Sequence, residues 1–300
     1  MSETRLAAVE RKLDRLTALV ERLAAERKQD AKWRMIFRRQ LAALVRRAYL
    51  DEETLPHPLA LQVRRFRLRS QNEEDGIVLA LLRAAGVRHH RFIDIGSGGT
   101  GGNCAVLGYE LGWGGLMIDS SRKAVAAARR VFASNPRVTV VKALLRSDSI
   151  DAFLEEHGGT GEVDVLSIDI DSFDYWLWRA LTVATPRLVV IEYNAHFGPE
   201  RAVTAPDGPR PEGAPKGYGG ASLAALEKLG HEKGYGLVLC EDAGVNAFFL
   251  RDDVAPEVPR LAAAEAWRPQ LSRHDAGGDA VRGVDLYAAV SAAGLPLVDV

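Results

Sequence analysis

Residues 91–103 read R-F-I-D-I-G-S-G-G-T-G-G-N, and this stretch decides the fold of the 300-residue chain. The apolar run formed by Phe92, Ile93 and Ile95 predicts a short buried strand. Glycine then occupies five of the seven positions 96–102. Because glycine adopts positive φ and has no Cβ, a ligand can lie against the bare N–H groups of such a loop. We therefore expect a strand that leads into a ligand-binding loop, with a plain flexible loop as the alternative.

Two acidic residues, one before the loop and one at the end of the next predicted strand, are placed where a nucleoside could be bound. Asp94 precedes the first glycine by two positions and is expected at the carboxyl end of the strand, where open α/β sheets bind ligands. Asp119 lies 23 residues beyond Gly96 and closes the next predicted strand, where a carboxylate can accept hydrogen bonds from both ribose hydroxyls. The spacing Gly96-x-Gly98-x-x-Gly101 also fits a dinucleotide fingerprint. These features suit a nicotinamide dehydrogenase and an S-adenosylmethionine (SAM) methyltransferase equally well.

The rest of the chain alternates between apolar strands and helices. After the first strand, strands are predicted at 115–119, 138–144, 163–170 and 188–193, and helices at 104–111, 122–133, 149–156 and 175–184. Near-continuous apolar strands joined by helices indicate a parallel sheet buried on both faces. The last two strands, 236–240 and 246–250, are joined by a turn too short for a helical crossover and must be antiparallel. We predict an α/β, Rossmann-like fold: a mostly parallel seven-stranded sheet with a terminal antiparallel hairpin.

Two motifs carry a family resemblance over about residues 70–250. The sequence D-I-G-S-G-G at 94–99, with I-D at 118–119, resembles the first two motifs of class I SAM-dependent methyltransferases, whose sheet also ends in an antiparallel hairpin. The run I-D-I-D-S-F-D at 168–174 is similar to the D-V-E-G-x-E motif of FkbM-like methyltransferases, with Asp171 and Asp174 in place of the glutamates and Ser172 in place of the glycine. The resemblance implies SAM as cofactor. The predicted cofactor-binding residues are Asp94, Gly96, Ser97, Gly98, Asp119, Ser120 and Asp169.

A possible metal site follows the fourth and fifth predicted strands. The candidate ligands are Asp169, Asp171, Glu192 and Asn194, and residues two apart on a strand face the same side. Oxygen ligands of this kind suit Mg²⁺. The arrangement is similar to metal-dependent small-molecule O-methyltransferases of the catechol and macrolide-sugar types, although Tyr193 interrupts their pattern. In the alternative interpretation, Asp169 and Asp171 cap the helix that follows.

The same region supplies candidates for catalysis and for contact with the methyl acceptor. His196 follows the fifth strand and is predicted to be the general base that takes a hydroxyl proton, with Asp169 as a second catalytic residue. Residues 196–220 are rich in proline and glycine, which is typical of a lid or a binding loop. Tyr193 and Tyr218 are predicted to contact the acceptor. Trp176 and Trp178 are interpreted as core residues.

A basic arm precedes the predicted sheet. Residues 1–70 carry 17 Lys/Arg against 9 Asp/Glu, and the remainder has a net charge of −9. Apolar residues three and four apart between positions 6 and 23 predict a coiled-coil helix that makes the protein a homo-oligomer. An amphipathic helix on its own domain is the alternative. Residues 70–73 fit a capping box for a helix at 74–85. We predict a helical arm at 1–55, a SAM-binding domain at 56–254 and a C-terminal extension at 255–300.

Composition argues against several other classes of protein. No apolar run approaches membrane-spanning length, and the first twenty residues are charged throughout, unlike a signal peptide. Cys104 and Cys240 lie in apolar surroundings, which favours a reducing compartment over a disulfide framework. We therefore expect a soluble, cytoplasmic protein. The arginine-rich run at 64–69 is interpreted as a solvated edge, so nucleic acid is not an expected partner.

The sequence thus predicts a SAM-dependent methyltransferase that acts on a hydroxyl of a small molecule or a carbohydrate, with Mg²⁺ as a candidate second cofactor. A different class remains open, in which the coiled coil assembles the protein and a degenerate Rossmann-like body has no catalytic role. The intact Asp94, glycine loop and Asp119 argue against that reading. An NAD-dependent oxidoreductase is the third alternative.

Overall fold

The computed structural model describes residues 56–99, 102–208, 211–212, 214, 217–270 and 286–300. The predicted coiled-coil arm and the self-association assigned to it lie outside these residues. Internal contacts place the described residues in one compact unit. Within the described ranges, no helix is both long and apolar enough to cross a bilayer. Cys104 and Cys240 are both buried free thiols.

Nine strands and eight α-helices are formed by the described residues. The main sheet contains β1 (Arg91–Ile95), β2 (Gly114–Asp119), β3 (Val138–Lys142), β4 (Gly161–Ile168), β5 (Ala184–Glu192), β7 (Tyr235–Cys240) and β8 (Asn246–Arg251), and a separate pair contains β6 (Val203–Thr204) and β9 (Val298–Asp299). The α-helices are α1 (Leu59–Gln62), α2 (Glu74–Ala85), α3 (Arg122–Val131), α4 (Ile150–Glu156), α5 (Asp174–Ala180), α6 (Leu223–Lys233), α7 (Ala263–Ala266) and α8 (Leu286–Ala292).

The main sheet has the strand order β3-β2-β1-β4-β5-β8-β7, and this confirms the predicted fold. Strand β1 pairs in parallel with β2 on one side and with β4 on the other. Strand β8 is antiparallel to both of its neighbours, β5 and β7. The order reverses between β1 and β4, because the chain builds outward from β1 to β3 and then returns to the other side of β1. Open α/β sheets bind ligands at the carboxyl ends of the strands beside such a reversal.

Helices cover both faces of the sheet, as near-continuous apolar strands require. On one face, Leu154 of α4, Trp178 of α5 and Leu226 of α6 pack in a single buried cluster against strand residues that include Ile93. On the other face, Leu81 of α2 belongs to a second buried cluster. Trp178 is therefore a core residue, as predicted. The loops at the carboxyl ends of the strands remain to build a site.

Two local predictions differ in detail from the structure. The helix expected at 104–111 is present as a π-helix over Val106–Glu110. Helix α2 begins where predicted, but the capping box at 70–73 does not form, because Glu73 takes φ 76° and caps nothing with its side chain. Instead, the Asp75 carboxylate accepts hydrogen bonds from the N–H groups of residues 68–70, and Ser70 Oγ accepts one from the Asp75 N–H. The acidic residue that pairs with Ser70 is therefore Asp75, inside α2, and not Glu73.

Candidate active site

A cavity of about 260 Å³ opens at the carboxyl ends of the strands, where the strand order reverses. It is bordered by the loops after β1, β2, β3 and β4. Its described lining consists of Ile95, Gly96, Gly98, Ile118, Asp119, Ser120, Ala143, Leu144, Leu145, Asp169, Ile170, Asp171, Ser172 and Phe173. Five of the seven predicted cofactor-binding residues are in this wall. We refer to it as the first cavity.

The loop after β1 needs glycine at its first position. Gly96 has φ +86°, and a Cβ there would lie 1.7 Å from the backbone oxygen of Asp169. The Gly96 N–H donates to the Ile118 carbonyl at 2.8 Å, which ties the loop to β2. The loop is therefore held between two neighbouring chain segments and presents backbone to the first cavity. Gly101, the third glycine of the fingerprint, lies outside the described residues.

Asp119 supplies a carboxylate at the end of β2. Its Oδ2 accepts a hydrogen bond from the Gly98 N–H at 2.9 Å, and its Oδ1 accepts one from the Ser121 N–H at 2.6 Å. A carboxylate oxygen has lone pairs for a second donor. The geometry therefore leaves Asp119 able to accept hydrogen bonds from ligand hydroxyls while it orders the glycine loop.

Asp94 lies beneath the glycine loop and does not line the first cavity, and Ser97 is buried there as well. Asp94 Oδ2 accepts a hydrogen bond from the Cys104 N–H at 2.9 Å, whereas Oδ1 is buried without a hydrogen-bond partner among the described residues. Burial raises the pKa of Asp94 to about 7, although the hydrogen bond from the Cys104 N–H lowers it. A buried carboxylate oxygen without a donor is suited to a cationic or N–H-bearing ligand group.

Three of the four predicted metal ligands converge. Asp169, Asp171 and Glu192 each place a carboxylate oxygen within 4.8 Å of the others. Asp169 is half-buried, and its carboxylate makes no hydrogen bond with the described chain. Burial raises the pKa of Asp169 well above its usual value, and the charges of Asp174 and Asp171 raise it further. Such a cluster favours a proton or a cation between its members.

Asn194 does not join this group. Its Nδ2 donates to the carbonyls of Gly217 and Gly219 at 2.7 and 2.8 Å, and its Oδ1 accepts from the His196 N–H at 3.1 Å. Strand β5 ends at Glu192, so the alternation that would bring residues 192 and 194 to the same side is lost. Asn194 instead attaches the loop before α6 to the end of β5. We therefore take it out of the candidate metal set.

Neither Asp169 nor Asp171 caps the helix that follows, and the turn before this helix is closed by Asp174, its first residue. Asp174 Oδ1 accepts from the Ile170 N–H at 2.8 Å, and its Oδ2 accepts from the Ser172 N–H at 3.2 Å. The N-cap position of α5 is Phe173, which makes no side-chain cap. Burial raises the pKa of Asp174 to about 6 despite these bonds. Because Asp174 satisfies the turn, the Asp169 carboxylate is available to a ligand.

The predicted general base and one predicted acceptor contact lie elsewhere. His196 is half-buried in a 3-10 turn, Ala195–Phe197, and is not among the described residues that line either cavity. Tyr193 is 1% exposed and packs in the core. Its hydroxyl donates to the Arg268 carbonyl at 2.8 Å and accepts from the Arg268 N–H at 3.1 Å. The structure thus gives Tyr193 an architectural position in place of the predicted contact.

A second cavity of about 130 Å³ adjoins the first. Its described lining consists of Ser172, Ala205, Pro206, Asp207, Gly208, Pro211, Tyr218, Gly219 and Pro296. Ser172 also lines the first cavity, and Tyr218 is where the sequence predicted an acceptor contact. Sequence reasoning missed Pro296. The apolar run L-P-L-V at 295–298 was its only signal, and nothing in that run indicates which surface it covers.

Comparisons with known proteins concern the fold. No protein-family profile matches the chain, and neither does any curated protein. Solved structures that it resembles include an O-methyltransferase from Bacillus cereus in complex with SAH, at 21% identity, 40% of this chain, 56% of that chain and TM-score 0.31. The METTL16 methyltransferase domain matches at 18% identity, 58% of this chain, 65% of that chain and TM-score 0.37. The N-terminal domain of EvdMO1, in the presence of SAH and D-fucose, matches at 13% identity, 60% of this chain, 82% of that chain and TM-score 0.40. The chain covers less than two thirds of the first two.

Proposed function

We propose that this protein is a SAM-dependent methyltransferase that acts on a hydroxyl group of a small-molecule or carbohydrate acceptor. The observation that carries the proposal is the first cavity: a glycine loop and the Asp119 carboxylate meet at the strand reversal of a sheet with an inserted antiparallel β8. A dinucleotide-binding sheet is built from two parallel mononucleotide-binding halves. The antiparallel hairpin takes the place of the end of the second half, which disfavours the NAD-dependent alternative.

The residues of the first cavity suit the parts of SAM. Asp119 would accept hydrogen bonds from the ribose hydroxyls. Ile118 and Leu145 offer apolar surface beside it for a base. Asp94 lies beneath the glycine loop and would support SAM binding through the loop, since its Oδ2 holds the Cys104 N–H. SAM supplies an electrophilic methyl group when it is bound, and the remaining chemistry is alignment and removal of a proton.

We place the acceptor hydroxyl beside Asp169, because this carboxylate lines the first cavity and has no hydrogen bond in the described chain. Bound SAM would supply the methyl group: its C–S bond would break as the acceptor oxygen forms the new C–O bond, and the electron pair would stay on sulfur. The Asp169 carboxylate would take the hydroxyl proton. Ser172, at the junction of the two cavities, lies where the acceptor would enter.

Magnesium is a second element of the proposal. Carboxylate oxygens within 4.8 Å of one another, on Asp169, Asp171 and Glu192, are the donor set that this ion prefers. A divalent ion held there would neutralise the cluster and lower the pKa of the acceptor hydroxyl. The chain's own contribution is to crowd three carboxylates at one edge of the sheet. Chelation with EDTA, followed by activity measurement with and without added Mg²⁺, tests this element separately from SAM binding.

The cofactor assignment is tested with Asp119→Ala. We expect SAM binding to weaken by roughly 1–3 kcal/mol, or about 5- to 150-fold, since a charge-assisted acceptor is removed. Isothermal calorimetry measures the affinity, with Asp148→Ala as a control that removes an exposed carboxylate. Binding of adenosine and of 2′,3′-dideoxyadenosine then isolates the hydroxyl contact. Loss of the hydroxyls should weaken binding to the parent but hardly affect the variant. An unchanged SAM affinity in Asp119→Ala would show that the ribose does not bind at Asp119.

The choice of base is tested with His196→Ala. A general base contributes about 10²–10⁴-fold to the rate. Since His196 lines neither cavity, we expect the variant to keep turnover within about tenfold of the parent. The assay is release of S-adenosylhomocysteine with a panel of hydroxylated acceptors, and His231→Ala, on the exposed face of α6, is the matched control. A loss of about 100-fold or more with unchanged SAM affinity would return the role of base to His196.

A further inference from the structure

Residues 286–300 pack against the segment that follows β5. Val290 of α8 is fully buried in a small apolar cluster with Phe197, Val203, Ala205 and Tyr218. Tyr287, Leu295 and Leu297 cover this cluster from the C-terminal side. The cluster is separate from the two clusters that flank the main sheet. Its members come from the two chain regions that surround the second cavity.

Backbone bonds fix the end of this segment in register. Strand β9 pairs antiparallel with β6, with Asp299 opposite Val203 and Val298 opposite Thr204. The Val300 N–H donates to the Ala202 carbonyl at 3.0 Å, which continues the pairing by one residue. These bonds run along the chain that leads directly to Ala205 and the second cavity.

A side-chain bond places Pro296 at the cavity itself. The Tyr218 hydroxyl donates to the Pro296 carbonyl at 2.6 Å, and both residues line the second cavity. Burial raises the pKa of Tyr218, so its hydroxyl stays a proton donor at neutral pH. The Tyr218 hydroxyl therefore holds the wall in place, and the ring, which packs in the apolar cluster, adds hydrocarbon surface to that wall.

Among the described residues, the wall of the second cavity is mainly apolar. Ala205, Pro206, Tyr218 and Pro296 contribute hydrocarbon surface, and the Asp207 carboxylate already accepts a hydrogen bond from the Ser147 hydroxyl. An apolar cavity of roughly 150 Å³ holds one benzene ring. The second cavity, at about 130 Å³, is slightly smaller than this, so a single ring would fill it and extend in part toward the neighbouring first cavity. A sugar ring would bring hydroxyls on all sides, each of which loses water and needs a partner.

We propose that residues 286–300 determine acceptor specificity, with Pro296 and Tyr218 as walls of a subsite for a single, weakly polar ring of the acceptor. The inference rests on the proposed function. The ring would sit between these walls, and a hydroxyl on its edge would point past Ser172 toward Asp169 and the first cavity. The ligand class is then a phenol-like compound, and carbohydrate is disfavoured within this subsite.

The test uses the full chain saturated with S-adenosylhomocysteine and two fragments, phenol and methyl α-D-glucopyranoside, titrated by ligand-observed NMR. Pro296→Trp would fill the subsite without removing the carbonyl that Tyr218 binds. Ala293→Trp adds the same side chain to an exposed position of the same segment and is the matched control. We expect phenol to bind in preference to the glucoside. Pro296→Trp should weaken phenol binding by more than about tenfold, and the control should not.

The outcomes separate this inference from the methyltransferase proposal. Failure of the parent to bind S-adenosylhomocysteine would overturn the proposed function and the inference with it. Normal binding of S-adenosylhomocysteine by all three proteins, with glucoside preferred or with phenol binding unaffected by Pro296→Trp, would overturn the inference alone. Tyr218→Phe provides a second variant, because it removes the bond to Pro296 and keeps the ring. A change in the phenol-to-glucoside preference of that variant supports the role of the wall, and an unchanged preference contradicts it.

Discussion

Asp169→Asn is expected to reduce methyl transfer by about 10²–10⁴-fold while SAM binding changes by less than about tenfold. The substitution keeps the size of the side chain but removes the carboxylate that accepts the hydroxyl proton. It also removes one of the three oxygen ligands available to a metal ion. Initial rates with saturating SAM measure the effect, and Asp148→Asn, at an exposed position, is the control. Near-parental turnover in Asp169→Asn would show that this carboxylate is neither the general base nor a ligand of a required metal ion.

The same variant should be more stable than the parent in metal-free buffer near neutral pH. The pKa of Asp169 is raised in the folded protein by burial and by neighbouring charges. A raised carboxyl pKa means that the folded state binds the proton more tightly, so the contribution of this group to stability is lost as pH rises through that pKa. The advantage of Asp169→Asn should therefore grow from pH 5 to pH 8. Thermal melts at several pH values measure it.

Added Mg²⁺ should reverse this order. An ion that binds only the folded protein raises the melting temperature by mass action, and only the parent has the full carboxylate set. A rise with Mg²⁺ in the parent but not in Asp169→Asn would place the ion in the cluster. Equal melting curves for the parent with EDTA and with Mg²⁺ would contradict Mg²⁺ binding and leave the proposed methyl transfer intact.

Gly96→Ala should destabilise the protein by about 2–4 kcal/mol, the largest loss that we expect from a single methyl group. The new Cβ would lie 1.7 Å from the Asp169 carbonyl oxygen, and the residue must also keep φ +86°. Neither the loop nor the start of the β4–α5 turn can move without disturbing the other. SAM binding should therefore be lost together with stability. Urea unfolding and calorimetry measure the two effects.

Gly98→Ala is the matched control in the same loop. Gly98 also has positive φ, +60°, but a Cβ there would meet no atom of the described chain within 4 Å. We expect only the conformational cost, about 1–2 kcal/mol. Equal losses in the two variants would show that positive φ alone, and not the contact between the loop after β1 and the end of β4, makes Gly96 necessary.

The fold was predictable because its signals are local and repeat along the chain. Apolar strands alternate with helices, and the turn before Asn246 is too short for a crossover, so the strand pattern follows from spacing alone. The position of the first cavity was predictable for the same reason. Gly96 and Asp119 each lie at a strand end, and parallel strands bring those ends to one edge.

The acceptor side depends on contacts between distant residues, which a single sequence does not encode in its spacing. Asn194 was paired with Glu192 by strand alternation, but β5 ends between them. Asp169 was placed within a strand, but β4 ends at Ile168, so strand alternation does not fix the direction of the Asp169 side chain. Pairing of β6 with β9 joins residues almost one hundred positions apart, and neither two-residue strand has a recognisable period.

Of the described residues, Ser172 is shared by the two cavities. One half of the site is built from the loops after the first four strands, and the other from residues 205–219 and Pro296. Under the proposed function, mutations in the second half would alter acceptor choice and leave the residues assigned to SAM unchanged. Ser172 is the exception, because a change there is felt on both sides. A lineage that acquires a new acceptor should vary first at Pro206, Tyr218 and Pro296, and should keep position 172 the longest.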